Sequence, residues 1–273
     1  MADLNSVWAH PPRATRGAQP TLSREQIVRA ALELLDAEGP AGLSMRRLGT
    51  RLGSGTTSVY WYVANKEELL ELAVDEVLGE VYVPEPGDTD WRVGASILAN
   101  GMRAALLRHP WVLGQLGGRP TLGPNAMRMG DRTVALLAAA GFTGLEISYA
   151  GSLLHSHAIG SATTESAVAG VATRSGLRPG ELAEQIKPLV ERMADDYPHY
   201  DAWRRANGGV AGPDPDRMMD DTFAFGLERL LDGLALWLDR NPEARNPEAQ
   251  KAATGKPGAQ KAETRKPEIR KAG

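Results

Sequence analysis

Apolar residues recur at the spacing of an α-helix along most of this chain, and that period limits the fold more than any other feature. In SREQIVRAALELLDAEG, Ile27, Ala31 and Leu34 follow one another at intervals of four and three residues, which places them on one helical face. Similar spacing continues between the two ends of the chain, so we expect an all-α fold. Beyond the first three helices, the expected helices span 67–83, 89–108, 122–140, 143–172, 179–196 and 216–240.

Local signals mark where the first helices begin and end. Ser23 has a glutamine three residues later, which is the pattern of a capping box, and Gly39 followed by proline supplies a stop. Ser44 can cap the second helix. Asn65, with a glutamate three residues later, can cap the fourth. These signals predict a helical domain with short elements in the first part of the chain.

Composition narrows the class of protein. With 273 residues, of which 42% are hydrophobic, the chain can bury a sizeable core. It has no cysteine, which excludes disulfides, thiolate metal sites and cysteine catalysis. The formal net charge of -3 argues against a protein that coats nucleic acid, so any DNA contact requires a local basic surface. Because no secretory signal and no apolar run of roughly 18 residues is visible, we expect a cytoplasmic protein.

The two ends of the chain differ in composition from the middle. Residues 1–20 carry proline and arginine without a hydrophobic period, which predicts a disordered arm. Residues 241–273 contain lysine-rich, proline-punctuated repeats such as KAATGKPGAQ and KAETRKPEIR, which predict a disordered basic tail. Either end could add nonspecific contacts with DNA, but a disordered leader and a solubilising extension are the simpler interpretations.

The segment TTSVYWYV places three consecutive aromatic residues beside small hydroxyl residues, on a helix of about two turns. Val59 and Val63 share its inner face, so Tyr60 and Trp61 point elsewhere. Hydroxyl groups on such a surface can bond phosphates, and aromatic rings can pack on thymine methyl groups. Two interpretations stay open: a recognition helix for DNA, or aromatic residues, Tyr62 above all, that hold a small three-helix domain against its neighbour.

The stretch LSMRRLGTRLGSGTTSVYWYVANKEELL, with the amphipathic helix before it, resembles the DNA-binding domain of the TetR family, the tetracycline-repressor-like transcriptional regulators. ALLRHPWVLGQLGGRP and TFAFGLERLLDGLALWL resemble two blocks of that family's C-terminal core. The resemblance implies a helix-turn-helix DNA-binding domain at 21–67 and a ligand-binding and dimerisation domain at 68–240. It implies a repressor that binds a palindromic DNA operator as a homodimer and is released by a small-molecule inducer. A constitutive DNA-binding regulator or an activator without a physiological ligand is the alternative.

The resemblance also assigns DNA contacts to individual residues. Arg46 matches a base-contacting arginine, and Lys66 matches a phosphate anchor. The other matched contacts lie on the recognition helix: Thr56, Thr57, Ser58, Tyr60 and Trp61. Thr57 stands where tetracycline repressors have a proline, so we expect a different operator sequence.

Two long apolar helices resemble the four-helix dimer interface of the family. The predicted interface residues are Leu153, Leu154, Leu227, Leu230, Leu231, Leu234 and Leu238. The period alone leaves an alternative open, because the same stripes could form the internal core of one chain.

The family's ligand cavity lies in the C-terminal domain. The residues expected to line it are Tyr82, Leu98, Met102, Trp111, Gln115 and Met127. Gln115 and Tyr82 stand where tetracycline repressors have histidines, one of which binds the drug's magnesium ion, and Leu98 replaces an asparagine. We therefore expect no response to magnesium-tetracycline and a larger, more apolar inducer. Each of the six could equally be an ordinary core residue.

Catalysis and metal binding are not expected. His155 and His157 are two positions apart, so on a helix they project in different directions and cannot readily share an ion. GSG at 53–55 follows no strand and precedes no lysine in register, so it is not a phosphate loop. Because no set of nucleophile and base is visible, we expect a protein that is not an enzyme and carries no cofactor.

Overall fold

The computed structural model describes residues 6–9, 22–117, 121–209 and 215–241, and within these ranges the chain forms helices and no strand. This confirms the all-α fold. The α-helices, numbered in chain order, are α1 Arg24–Gly42, α2 Met45–Arg51, α3 Thr56–Tyr60, α4 Lys66–Leu78, α5 Trp91–Arg108, α6 Pro124–Ala140, α7 Leu145–Ser175, α8 Pro179–Arg192, α9 Pro198–Ala206 and α10 Pro215–Arg240. Two 3-10 helices span Val7–Ala9 and Pro110–Gly114. Among the described helices, none is by itself long and apolar enough to cross a membrane; by length and composition only, α6 and α7, which meet at 117°, could do so as a bent pair.

Helix α1 starts and stops where the sequence signals predict. The Ser23 hydroxyl accepts a hydrogen bond from the Gln26 N–H (3.2 Å), and the Gln26 side chain accepts one from the Ser23 N–H (2.8 Å). This confirms the capping box. Gly39 has a φ of 68°, which favours glycine, and it interrupts the helical path before the last turn.

Helices α2 and α3 are short and depend on their neighbours. The Ser44 hydroxyl accepts a hydrogen bond from the Arg47 N–H (3.2 Å), as predicted for a cap. Helix α3 has only five residues, and a helix of that length is stable only when packed. Val59 is fully buried, and the Tyr62 hydroxyl, just after the helix, donates to the Leu22 carbonyl (2.6 Å). Tyr62 therefore stabilises the fold, as one interpretation of the aromatic run required.

One hydrophobic core extends from the N-terminal helices into the C-terminal ones. Leu69, Ala73 and Val77 of α4 are fully buried in it. Helix α4 ends at Leu78 with Gly79 as its cap, earlier than the predicted end at 83, because glycine favours helix termination. Helices α1–α3 thus share packing with the rest of the chain through α4.

The C-terminal helices pack around α7, whose 31 residues give a length of about 46 Å. Arg103 on α5 donates two hydrogen bonds to Glu165 on α7 (2.7 Å each) and one to Asp220 on α10 (2.6 Å). The hydrogen bonds with Glu165, above all, raise the pKa of Arg103. These contacts of Arg103 join three long helices, α5, α7 and α10.

The helices after α7 differ in part from the prediction. Helix α8 ends at Arg192 rather than 196, and α9 was not predicted.

Part of the predicted N-terminal arm has a defined position. Residues 1–5, residues 10–21 and the predicted tail from 242 onward lie outside the described residues. The Ser6 hydroxyl and the Val7 N–H both donate to Glu71 Oε2 on α4 (2.8 and 3.0 Å). Residues 6–9 therefore differ from the predicted free arm, because a carboxylate of α4 binds their donor groups.

Candidate nucleic-acid interface and ligand cleft

The side chains predicted to contact DNA lie together around α3. Tyr60 and Trp61 are 47% and 58% exposed, and Thr57 is exposed beside them. Thr56 and Ser58 are half-buried in the first turn of the same helix. The segment therefore presents hydroxyl groups and aromatic rings to solvent, which is the surface that a recognition helix requires. The contact with DNA itself stays a prediction.

Three arginines of α2 are exposed, and two of them are paired with carboxylates of α1. Arg47 binds Glu38, and Arg51 Nε donates to Glu33 (3.0 Å). The hydrogen bond between the first pair raises the pKa of Arg47 and lowers that of Glu38. Arg46 has no side-chain partner among the residues that the structure describes. It is therefore the arginine of α2 that remains available to a partner molecule.

Lys66 lies at the first position of α4, close to the end of α1. Its Nζ donates to the Pro40 carbonyl (2.5 Å). Asn65 caps the helix by accepting a hydrogen bond from the Glu68 N–H (2.8 Å), as predicted. An ammonium group has three donors, so two remain for a phosphate near this helix N-terminus.

Most of the predicted dimer-interface residues are covered within the single chain. Five of the seven are 8% exposed or less: Leu154, Leu227, Leu231, Leu234 and Leu238. Their burial favours the alternative of an internal core, and the assignment of the seven residues to a dimer interface stays a prediction. Leu153 is 45% exposed and Leu230 is half-buried.

A different apolar surface of α7 and α10 is exposed. Tyr149 and Phe225 are 62% and 64% exposed. Trp237 Nε1 donates to Glu146 Oε1 (3.3 Å), which joins the end of α10 to the start of α7. We call this surface the α7–α10 face; its residues are Leu145, Tyr149, Leu153, Phe225, Leu236 and Trp237. Exposed apolar patches of this kind mark interaction surfaces.

Of the two clefts that the structure describes beside α4, one is lined by Gln115 and the other by Tyr82, and neither is lined by any other of the six predicted cavity residues. Leu98, Met102 and Trp111 are buried in the packed interior, at 0%, 4% and 8% exposure. Tyr82 and Met127 are each 58% exposed. A short cleft beside Tyr82 is separate from the one that Gln115 lines. The assignment of these residues to an inducer site stays a prediction. Gln115 supports it most directly, because its side chain lines a cleft.

Gln115 lines a cleft between α4 and the start of α6, which we call the junction cleft. Its volume is about 160 Å³, which is smaller than the about 300–1,000 Å³ of typical ligand sites, and it is partly open to solvent. Its walls combine aliphatic, acidic and aromatic side chains. The lining residues are Trp8, Glu67, Leu70, Glu71, Val74, Asp75, Leu78, Gly114, Gln115, Thr121, Leu122 and Gly123.

Asp75 fixes one end of the junction cleft. This buried carboxylate accepts hydrogen bonds from the backbone N–H groups of Asn125 (3.2 Å) and Ala126 (2.9 Å), and so caps α6. Gly123 permits that approach, because a Cβ there would lie 2.1 Å from Asp75 Oδ1. The start of α6 is thereby tied to α4.

His109 joins α1 to the core in a way that the sequence reasoning missed. Its Nδ1 lies 2.6 Å from Asp36 Oδ1 on α1, and its Nε2 lies 3.1 Å from Glu80 Oε1 just after α4. Trp111 Nε1 donates to the same Asp36 oxygen (2.8 Å), and Arg108 pairs with Glu80. The sequence signal was the short spacing of Arg108, His109 and Trp111, whose partners lie far away in the chain.

The two histidines of HSH have separate environments. His157 Nε2 donates to the Phe223 carbonyl (3.0 Å), and the two rings are stacked with centroids 5.0 Å apart. His155 Nε2 is buried and has no partner among the described residues, and burial lowers the pKa of His155. Within the described ranges, no three His, Asp or Glu side chains are grouped closely enough to hold a metal ion.

Comparison with known families matches both halves of the chain. The family model described as "Bacterial regulatory proteins, tetR family" matches residues 27–73. The model described as "Tetracyclin repressor-like, C-terminal domain" matches residues 83–237. These ranges contain the α2–α3 surface and most of the core around α7, respectively.

Individual relatives agree with these models. The HTH-type transcriptional repressor DrrR1 of Streptomyces coeruleorubidus is 35% identical over 232 residues, which cover 85% of this chain and 84% of that protein. The tetracycline repressor protein class A from transposon 1721 of Escherichia coli is 30% identical over 219 residues, covering 78% and 91%. The structure of the Streptomyces coelicolor TetR family protein ActR in complex with actinorhodin matches with a TM-score of 0.66 and 33% identity, covering 80% of this chain and 97% of that one.

Proposed function

This chain belongs to the TetR family of helix-turn-helix transcriptional regulators, and from that membership we propose that it is a ligand-responsive repressor. A homodimer binds a palindromic operator, and a small-molecule inducer other than magnesium-tetracycline releases it. The two recognition helices of such a dimer must lie about 34 Å apart to enter successive major grooves. An inducer that stabilises a different separation lowers operator affinity.

The observation that carries this proposal is the state of the side chains on α2 and α3. Arg46 has no side-chain partner among the described residues, while Arg47 and Arg51 on the same helix are paired. Tyr60 and Trp61 are exposed although their neighbour Val59 is buried. A guanidinium group can make two hydrogen bonds with guanine in the major groove, and the exposure of Arg46 without a described partner supports such a contact.

Operator binding can be tested by fluorescence anisotropy with labelled fragments from the region upstream of the chain's own gene. We expect sequence-selective binding that weakens as salt rises, because phosphate contacts release counterions. Arg46→Ala should weaken binding by about 1–3 kcal/mol, roughly tenfold to a hundredfold. Arg192→Ala, an exposed arginine on α8, is the charge-matched control. Equal affinity of the two variants would contradict the assignment of Arg46.

The homodimer is proposed on the α7–α10 face. The single chain leaves Tyr149 and Phe225 largely exposed there, and a second copy would bury both. Phe225→Glu should convert the dimer to monomers in sedimentation equilibrium, because it places charge in an apolar contact. Val134→Glu, at an exposed valine of α6, is the control and should leave the dimer intact. A wild-type monomer at micromolar concentration would refute this part of the proposal.

Inducer release is proposed because ActR, a structural relative, was solved in complex with actinorhodin. The identity of the inducer is expected to differ from that of the tetracycline repressors. Gln115 supplies an amide to the junction cleft where those repressors have the magnesium-binding histidine. Titration calorimetry with tetracycline and Mg²⁺ should show no binding, and tight binding would overturn this expectation.

A further inference from the structure

The N-terminal 3-10 turn forms one wall of the junction cleft. Trp8 lines the cleft, and hydrogen bonds hold its segment on α4: Glu71 Oε2 accepts from the Ser6 hydroxyl and the Val7 N–H, and Ser6 Oγ accepts from the Trp8 N–H (3.3 Å). The guanidinium of Arg24 lies 5.7 Å from the centroid of the Trp8 ring. These contacts position a flat aromatic ring beside the cleft.

The described lining of the junction cleft is acidic. Three carboxylates of α4, those of Glu67, Glu71 and Asp75, line it, and the described part of the lining contains no lysine or arginine. Asp75 caps α6, and Glu71 holds the N-terminal turn. Glu67 is exposed and has no hydrogen-bond partner among the described residues, so its carboxylate can pair with a cation.

The remaining lining is suited to an apolar ring system. Leu70, Val74 and Leu122 provide aliphatic surface between the acidic positions. We propose that the junction cleft binds a flat aromatic cation, with its ring system against Trp8 and its positive group beside Glu67. Aromatic faces and carboxylates both attract cations, so the two contacts act on the same molecule.

The position of the cleft gives its occupant control over DNA binding. Glu67 directly follows Lys66, and Leu78 ends α4, so this wall runs about 16 Å along the helix that carries the DNA-binding domain. The opposite wall, at Gly114 and Gln115 and at 121–123, belongs to the core. A molecule that contacts both walls fixes the position of α4 against the core. This role as inducer, though not the binding itself, depends on the proposed function.

The probes are rhodamine 123, a cationic xanthene dye, and fluorescein, an anionic dye with the same ring system. Binding to the full-length protein is measured by fluorescence anisotropy in the absence of DNA. We expect rhodamine 123 to bind at least about tenfold more tightly than fluorescein, because only the cation pairs with the cleft carboxylates.

Three variants locate the binding. Trp8→Ala should weaken rhodamine 123 binding about tenfold, and Trp8→Phe should restore most of it, because a ring returns. Glu67→Gln should weaken it about fivefold without changing shape. Glu76→Gln, an exposed glutamate of α4 outside the cleft, is the matched control and should bind as wild type. Melting temperatures of all four are measured to confirm folding.

The outcomes distinguish this inference from the proposed function. If the protein binds its operator but rhodamine 123 binds no better than fluorescein, or equally well to Trp8→Ala and Glu67→Gln, the inference is overturned and the repressor proposal stands. If the dye binds in the expected manner while no duplex is bound, the cleft is supported and the repressor proposal fails. If both hold, addition of rhodamine 123 should lower operator affinity in wild type and less in Glu67→Gln.

Discussion

Replacing His109 with leucine is expected to loosen the attachment of α1 to the core. The His109 side chain is 7% exposed, and its ring nitrogens lie 2.6 Å from Asp36 Oδ1 and 3.1 Å from Glu80 Oε1. Leucine fills much of the same volume but removes both ring nitrogens, and the carboxylates of Asp36 and Glu80 then face each other across an apolar side chain.

The expected loss of stability depends on the contacts that the Asp36 and Glu80 carboxylates retain when the imidazole is removed. A hydrogen bond to a charged group contributes about 1.5–3 kcal/mol, but Asp36 and Glu80 are each 35% exposed, so solvent screening reduces that value. In the variant, Asp36 still accepts a hydrogen bond from the Trp111 indole, and Glu80 still forms an ion pair with Arg108. We therefore expect a loss of roughly 2–3 kcal/mol in the free energy of unfolding. For a chain of this size this lowers the melting temperature by about 4–9 °C.

A double-mutant cycle with Asp36→Asn separates the contact from other effects of the leucine. The cycle, measured by urea unfolding, should give a coupling energy of about 1 kcal/mol or more. His199→Leu, at an exposed histidine of α9, is the control and should change the melting temperature little. A melting temperature of His109→Leu equal to that of the control, or a cycle without coupling, would refute the reasoning.

Three further changes test other contacts. Arg103→Met should lower the free energy of unfolding in urea by roughly 3 kcal/mol, because it leaves a carboxylate of α7, only 12% exposed, without its bidentate partner; a loss below about 1 kcal/mol, the size of a surface pair, would contradict this. Gly226→Ala places a Cβ 2.4 Å from the His157 ring and should destabilise by about 1–3 kcal/mol in the same assay. Gly233→Ala, on the same helix but in open space, should be neutral or stabilising. Burial lowers the pKa of His155 from 6.5, so the unfolded chain takes up the proton first, and stability should fall as pH drops below 6.5. In His155→Gln the free energy of urea unfolding should fall less steeply as pH drops below 6.5. The same pH dependence in variant and wild type would contradict the assignment of the decline to His155.

Signals that act within one helical turn could be read from the sequence. Ser23, Ser44 and Asn65 cap helices because a side-chain oxygen reaches the backbone N–H three residues later, whatever the rest of the chain does. The break at Gly39 likewise depends on the conformational freedom of one residue. Such features were predicted correctly.

Features that depend on distant segments could not be read in this way. The stripe of Leu227, Leu231 and Leu238 was correctly identified as apolar, but the period does not say whether the same chain or a second copy covers it. Phe225 and Leu236 lie on the opposite side of α10 and are exposed.

The junction cleft illustrates the limit most clearly. Its walls come from segments more than a hundred residues apart, from Trp8 to Leu122. Residues 6–9 carry no periodic signal, and their position depends on Glu71, which lies 65 residues after Ser6 in the chain. Helix α9 was missed because its nine residues are mostly polar or aromatic and show no apolar stripe.

The brevity of α3 has an evolutionary consequence. Of its five residues only Val59 is buried, so exchange of Thr57 or Tyr60 leaves the packing of the chain almost untouched. Under the proposed function, a descendant gene can therefore acquire a new DNA target through point mutations in α3 while its C-terminal domain remains as it was. Regulatory circuits built on such a chain can be rewired with little penalty in protein stability.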